Sequence, residues 1–322
     1  MPKSTWLPRE WADKGAWLEA VHHAARRLRR DVAHATPVQI RHAIEAASLL
    51  NPGPWGAEFT LHHGESWRGA VVTWKGRWDG TVLWIHGGAF AFGSPRVYRA
   101  AAVHLARATG CRVVLVAYRL APECTFPAAH DDVDRALSHW LSKGEPLVVV
   151  GDSAGGNLAA SAVQTALKQG QDASLLRGLA LLSPWGDLRK SARSMVANRA
   201  AHSPFDRQDT LDYSQAYLAG HPADDPRVSP ALDTPVEGWP RVYLEWAEDE
   251  FLAPDIATWR AKLAASGTQV QVRTEPSAVH GWQLVPDLLP EARRSIASLG
   301  CWVRERLGLN AAEAPVGHAD AS

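Results

Sequence analysis

From Ala57 onward the chain alternates short runs of aliphatic and β-branched residues with longer stretches whose apolar positions recur every three to four residues. The short runs predict eight strands: Glu58 to His62, Ala70 to Trp74, Val82 to Ile85, Val113 to Ala117, Leu147 to Val150, Leu179 to Leu182, Val242 to Trp246 and Val270 to Arg273. Helical periodicity lies between most of them, at Val97 to Ala108, Asp131 to Leu141, Leu158 to Lys168, Ile256 to Ala265 and Ala292 to Leu307. Strands that alternate with helices imply a largely parallel sheet covered on both faces, with the opening strands free to form an antiparallel hairpin. Side chains that do chemistry then belong in the loops at the carboxyl ends of the strands.

Two regions break the alternation. Residues 1–50 carry apolar positions at helical spacing (Trp17, Leu18, Val21, Ala25, Leu28) and end at Asn51-Pro-Gly-Pro54, which predicts a helical amino-terminal segment. Residues 188–237 are rich in Pro and Asp with one helical patch, Thr210 to Leu218, and are too long for a simple connection. Both are expected to form a cap over a core of residues 51–187 and 238–308, and the small, polar tail 309–322 is expected to be disordered.

Composition narrows the classes of function. With 34 basic and 34 acidic residues the net charge is +0, so no global field attracts nucleic acid, anionic lipid or a polyanionic substrate. Arg26, Arg27, Arg29 and Arg30 form a basic stretch, but no stacking aromatics interleave it, and it reads as a solvated helix face. Three widely spaced cysteines (Cys111, Cys124, Cys301) carry no C-x-x-C pairing and fit a reducing compartment rather than a disulfide framework or zinc site. Charges at Lys3, Arg9, Glu10, Asp13, Lys14 and Glu19 interrupt every candidate signal sequence, and no apolar run approaches the roughly 20 residues of a bilayer helix. The expectation is a soluble, cytoplasmic protein that needs no cofactor or metal and acts on a small molecule.

The chemistry concentrates in two glycine-rich turns. Gly151-Asp-Ser-Ala-Gly155 follows the strand Leu147 to Val150 and precedes an apolar helix. A strand-to-helix turn this sharp crowds the backbone, so small residues must flank Ser153, whose hydroxyl is held out at the helix amino terminus as a nucleophile. The same segment lacks the lysine of a P-loop and the spacing of a dinucleotide fingerprint. Upstream, Trp84-Ile-His-Gly-Gly-Ala-Phe90 sets paired glycines directly after a strand, where backbone N–H groups can face an anionic oxygen. Gly87, Gly88 and Ala154, the residue after the nucleophile, are the expected oxyanion donors.

A serine nucleophile needs a base, and on this type of sheet the chain order is serine, acid, histidine. Of 14 histidines, His280 alone lies just past a late strand and outside the tail. His22/His23 and His62/His63 lack metal-ligand spacing. The acid belongs to Glu245-Trp-Ala-Glu-Asp-Glu-Phe-Leu-Ala-Pro-Asp255. Glu245 falls inside the strand, Asp255 suits a helix start, and Asp249 is the best placed, with Glu248 and Glu250 still open.

At these residues the chain resembles the hormone-sensitive lipase-like family of α/β-hydrolases, in the subgroup with a G-D-S-A-G nucleophile motif. The likeness runs from about Thr81 to Gln283 and includes Tyr118-Arg-Leu-Ala-Pro-Glu123, Phe126-Pro-Ala128, Ser183-Pro-Trp-Gly-Asp187, Asp225-Pro-Arg-Val-Ser-Pro230 and His280-Gly-Trp282. Ala89 stands where the commonest oxyanion loop has a third glycine, and Glu250 where many members have proline after the acid. The resemblance implies a carboxylesterase with an eight-stranded α/β-hydrolase core, a helical cap, a triad of Ser153, Asp249 and His280, and a small-molecule ester as partner, and it allows a homodimer. The same constellation would serve an amidase, lactonase or acyltransferase, and the fold also carries non-catalytic ligand-binding proteins such as the plant gibberellin receptor. With 15 tryptophans in the chain, Trp185, Trp282 and Phe90 are expected beside the substrate, with Trp6, Trp11 and Trp17 in the cap, and such bulky rings would favour short acyl chains.

Overall fold

A computed structural model describes residues 36–76, 78–190, 192 and 207–309. The expected elements at Trp17 to Leu28, the cap tryptophans Trp6, Trp11 and Trp17, and all but the first residue of the 309–322 tail lie outside the described residues.

Eight strands carry the fold: β1 (Ala57–His63), β2 (Arg68–Trp74), β3 (Thr81–Ile85), β4 (Arg112–Val116), β5 (Leu147–Asp152), β6 (Leu176–Leu182), β7 (Val242–Ala247) and β8 (Val270–Glu275). They form one sheet in the order β1-β2-β4-β3-β5-β6-β7-β8. β2 pairs antiparallel with β1 and with β4, and every later pairing is parallel. The eight strand runs read from the sequence are these eight strands, and the hairpin is the opening pair.

β3, β5 and β7 are buried at every position, which explains their mainly apolar sequences: a parallel strand covered on both faces has no solvent-facing side to display. Seven α-helices are described: α1 (Pro37–Ser48), α2 (Arg99–Thr109), α3 (Ala128–Leu141), α4 (Ala154–Lys168), α5 (Arg207–Leu218), α6 (Ala253–Ala265) and α7 (Pro290–Leu307). On one face Leu83, Ile85, Val114 and Val149 pack with α3, α4 and α6 through Leu137, Leu158 and Ile256. On the other, Trp84, Val113, Val148 and Tyr243 pack with α2 and α7 through Leu105, Leu299 and Trp302.

The carboxyl end of β5 shows why glycine brackets Ser153. Ser153 is held at φ 51° and ψ −121°, between strand and helix geometry. There α4 passes so close to β3 that a Cβ on Gly155 would overlap the carbonyl oxygens of Ile85 and His86. Gly155→Ala is therefore expected to cost at least the about 1–3 kcal/mol of stability typical of core overpacking, read as a lower urea midpoint, and a wild-type midpoint would show that the strand and helix have room to part.

α1 and α5 belong to the segments outside the alternating core. α1 starts on a capping box in which the Thr36 side chain accepts from the Gln39 N–H and the Gln39 side chain from the Thr36 N–H. Its Arg41 donates to the backbone oxygens of Ala91 and Ala121 at 2.7 and 2.6 Å and pairs with Glu123. Its Glu45 accepts from the Ser94 hydroxyl at 2.6 Å, so one helix face is fastened to the loop after β3. No described helix is long and apolar enough to cross a membrane.

Candidate active site

Ser153, at the end of β5, and His280, in the loop after β8, are distant in sequence and adjacent in space. His280 Nε2 lies 2.9 Å from Ser153 Oγ. Its Nδ1 lies 2.9 Å from Glu250 Oε2, in the turn between β7 and α6. With the neutral ring protonated on Nδ1, that nitrogen donates to Glu250 and Nε2 is left to accept the Ser153 proton. Burial disfavours the charged imidazole, but the hydrogen bond and negative charge of Glu250, joined by the charge of Asp152, outweigh it and hold the His280 pKa above its ordinary value.

The acid on the imidazole is thus Glu250, and the expectation of Asp249 is corrected. Asp249 Oδ2 accepts from Ser277 Oγ at 2.7 Å, on the far side of the turn. The reason is the path of the backbone. β7 ends at Ala247, the Glu248 N–H continues the ladder to the Glu275 oxygen, and the Glu250 N–H closes a turn on the Ala247 oxygen. The turn swings residue 250 inward, where it is fully buried. Glu248 accepts from Thr274, and Glu245 is buried in β7 against Arg273 and Ser295. Asp255 lies in the first turn of α6. The sequence offered several carboxylates within reach, and the one signal for Glu250, its place just before Phe251 and Leu252 in an otherwise acidic turn, marks burial only weakly.

The oxyanion loop is also corrected at one position. The Gly87 N–H, an expected donor, is engaged beneath the site by the Tyr98 hydroxyl at 2.8 Å and by Asp152 Oδ1 at 3.2 Å. The next two peptides face the other way. The Gly87 oxygen accepts from His86 Nδ1 at 2.8 Å, and the Gly88 oxygen accepts from the Ala91 and Phe92 N–H groups. In a trans peptide the N–H points opposite its C=O, so the Gly88 and Ala89 N–H groups are turned away from those partners. Neither they nor the Ala154 N–H meets an acceptor among the described residues. Gly88 and Ala89 border the same cavity as Ser153. The run of φ values 113°, 52° and 61° at Gly88, Ala89 and Phe90 is strained for the two non-glycine residues and lets successive N–H groups face one way.

That cavity measures about 190 Å³ among the described residues. Its floor holds Ser153, His280 and Asp152, and its walls are mainly apolar: Ile44 of α1, Tyr213 of α5, Phe92, Phe251, Leu252 and Leu284, with Trp185. Of the three aromatic residues expected beside substrate, Trp185 alone borders it. Phe90 lies behind the wall, stacked on Tyr217 with ring centroids 4.0 Å apart. Trp282 is buried in a separate cluster with Ala278, Leu289 and Ala292. An aromatic residue beside a catalytic loop is as readily a packing element, and the sequence does not say which face of the loop it takes.

The chain is similar to known proteins in sequence and fold. A family profile described as the alpha/beta hydrolase fold matches residues 82–284. An acetyl-hydrolase of Streptomyces hygroscopicus is 33% identical over 236 residues, covering 72% of this chain and 78% of that protein. This chain belongs to the hormone-sensitive lipase-like α/β-hydrolases. An esterase of Acinetobacter venetianus is 32% identical over 226 residues, covering 68% of this chain and 72% of that protein. Among solved structures, an esterase of the bacterial hormone-sensitive lipase family superposes with a TM-score of 0.83 at 28% identity, covering 90% of this chain and 98% of that one. In this chain the serine at the β5–α4 elbow and the histidine after β8 are in hydrogen-bond contact.

Proposed function

We propose that this chain is a serine carboxylester hydrolase in which Ser153 is the nucleophile, His280 the general base and Glu250 the acid that orients and charges His280. The observation that carries it is the continuous relay of two 2.9 Å hydrogen bonds, Ser153 Oγ to His280 Nε2 and His280 Nδ1 to Glu250, beside backbone N–H groups that meet no acceptor among the described residues. The relatives named as esterase and acetyl-hydrolase support the same reaction class.

The reaction proceeds in two balanced halves. Ser153 Oγ forms a bond to the ester carbonyl carbon while its proton passes to His280 Nε2, and the carbonyl electron pair becomes an oxyanion held by the N–H groups of Gly88, Ala89 and Ala154. Ala154 is the first residue of α4, whose dipole favours negative charge at that end. The oxyanion then re-forms the carbonyl, the ester C–O bond breaks, and His280 gives its proton to the departing alkoxide, which leaves as alcohol. Water, deprotonated by His280, attacks the acyl-enzyme, the Oγ–acyl bond breaks as the carbonyl re-forms, and His280 returns its proton to Ser153 Oγ as the acid leaves.

The cap is formed by the amino-terminal and 188–237 segments, an assignment supported by Ile44 and Tyr213, which reach the cavity from α1 and α5. The preferred substrates are short acyl esters. At about 190 Å³ the space lies below the about 300–1,000 Å³ usual for drug-sized ligands, so each methylene gains about 0.8 kcal/mol only while it still fits. Across nitrophenyl esters from acetate to palmitate, kcat/KM is expected to peak between acetate and hexanoate. A peak at dodecanoate or beyond would show an open channel and overturn the short-chain assignment, and faster cleavage of the matching anilides would make the enzyme an amidase.

A further inference from the structure

Beneath the nucleophile lies a buried polar group that the reaction above does not use. Asp152 ends β5 next to Ser153, and its carboxylate accepts from three donors: Trp84 Nε1 at 3.0 Å, the Tyr98 hydroxyl at 2.6 Å and the Gly87 N–H at 3.2 Å. Tyr98, from the start of α2, also accepts the Gly87 N–H at 2.8 Å. Tyr98 and Trp84 are almost wholly inaccessible to solvent.

This cluster joins the strand that carries the nucleophile to the loop that receives the oxyanion. Its grip is on one peptide: the N–H of the His86–Gly87 unit goes to Tyr98 and Asp152, and its oxygen accepts from the Tyr118 hydroxyl at 2.8 Å. Fixing that plane fixes the direction in which the following Gly88 and Ala89 N–H groups leave it. We infer that Tyr98 and Asp152 are positioning residues, Tyr98 setting the distance between Ser153 and the oxyanion donors, and Asp152 acting both in that clamp and as a second negative charge behind His280. The inference rests on the assignment of Ser153 and His280 above.

The groups that face the pair are few. Tyr98 stands between Trp84 and the His86 ring, which is itself kept neutral by burial with its pKa down to about 4. Tyr118 stacks on His86 from the other side. Across the site the acidic neighbours of His280 are Glu250, from the turn after β7, and Asp152, and both favour the imidazolium; burial pushes the Asp152 carboxyl up, opposed by the hydrogen bonds it accepts from Tyr98, Trp84 and Gly87. Arginine and lysine do not enter this cluster among the described residues.

Two substitutions separate the roles. Tyr98→Phe removes the hydroxyl and leaves the Asp152 carboxyl its donors Trp84 and the Gly87 N–H. It is expected to lower kcat about 10- to 100-fold with KM nearly unchanged, less than the about 10²–10³ that accompanies direct loss of an oxyanion donor. Affinity for a trifluoromethyl ketone, which adds to the serine and places an anionic oxygen in the same site, should fall by the same factor, while the acid limb of the kcat/KM profile stays in place. Asp152→Asn removes the charge. The imidazolium then loses one stabilising partner, its pKa falls, and the acid limb moves to lower pH. A fluorophosphonate that labels Ser153 in the parent enzyme verifies the underlying assignment independently, and absence of that label would overturn assignment and inference together. With the parent labelled and both variants melting as the parent does, wild-type kcat and ketone affinity in Tyr98→Phe would overturn the clamp. An unmoved acid limb in Asp152→Asn would overturn the electrostatic role. If Asp152→Asn fails to fold, Asp152→Glu keeps the charge and is expected to hold the limb in place while kcat falls, and a moved limb there would overturn the same role.

Discussion

Ser153→Ala is expected to fold as the parent does and to lose about six orders of magnitude in kcat on nitrophenyl butyrate. The scale follows from how a triad fails: without its nucleophile the remaining groups cannot form an acyl-enzyme, and in a serine protease such a loss reaches about 10⁶ in kcat. Folding is expected to survive because Ser153 contributes little packing. Its hydroxyl meets His280, while the elbow is held by its backbone, the Ser153 N–H donating to the Leu182 oxygen and the Ser153 oxygen accepting from the Trp185 N–H. The comparison is steady-state hydrolysis alongside thermal melting. A variant that melts normally and keeps a tenth of parental activity would place the nucleophile elsewhere.

The second large effect discriminates between neighbouring carboxylates. Glu250→Gln is expected to lower kcat by about 10⁴, because the amide can hold the imidazole in the wrong tautomer and leaves the imidazolium without its counter-charge. The buried setting sharpens this. Glu250 is fully buried, and its second oxygen, Oε1, has no hydrogen-bond partner among the described residues, so its charge is directed at His280 with little competition. Asp249→Asn, one residue away, alters the contact with Ser277 and is expected to change kcat by less than about threefold, as befits a residue that does not touch the reacting groups. The pair is read by kcat on the same ester. A larger loss in Asp249→Asn would restore the acid that the sequence alone favoured.

These two carboxylates mark where the sequence stops being legible. Steric demands are written plainly in it: Gly155 must be glycine because a Cβ would strike β3, and β3, β5 and β7 are mainly apolar because both of their faces are covered, with Asp152 and Glu245 buried only against hydrogen-bond partners. The sheet, its hairpin and the positions of Ser153 and His280 follow from constraints of that kind. Orientation within a turn is another matter. Whether residue 249 or 250 faces the imidazole depends on the turn closed between the Glu250 N–H and the Ala247 oxygen, and both residues are acidic. The same holds for Gly87: glycine there is demanded by the closeness of Asp152, but the direction of its N–H is decided by Tyr98, brought from another element by the fold. Phe90 and Trp282 illustrate it for packing, since a large ring signals burial and leaves open what it is buried against.

The most direct measurement of the central claim is to label the protein with a fluorophosphonate and locate the adduct by mass spectrometry of its peptides. One adduct is expected, on Ser153, forming more slowly as pH falls and His280 becomes protonated, and nearly abolished in Glu250→Gln. An adduct on another residue, or labelling of Ser153 that is indifferent to both pH and Glu250, would contradict it.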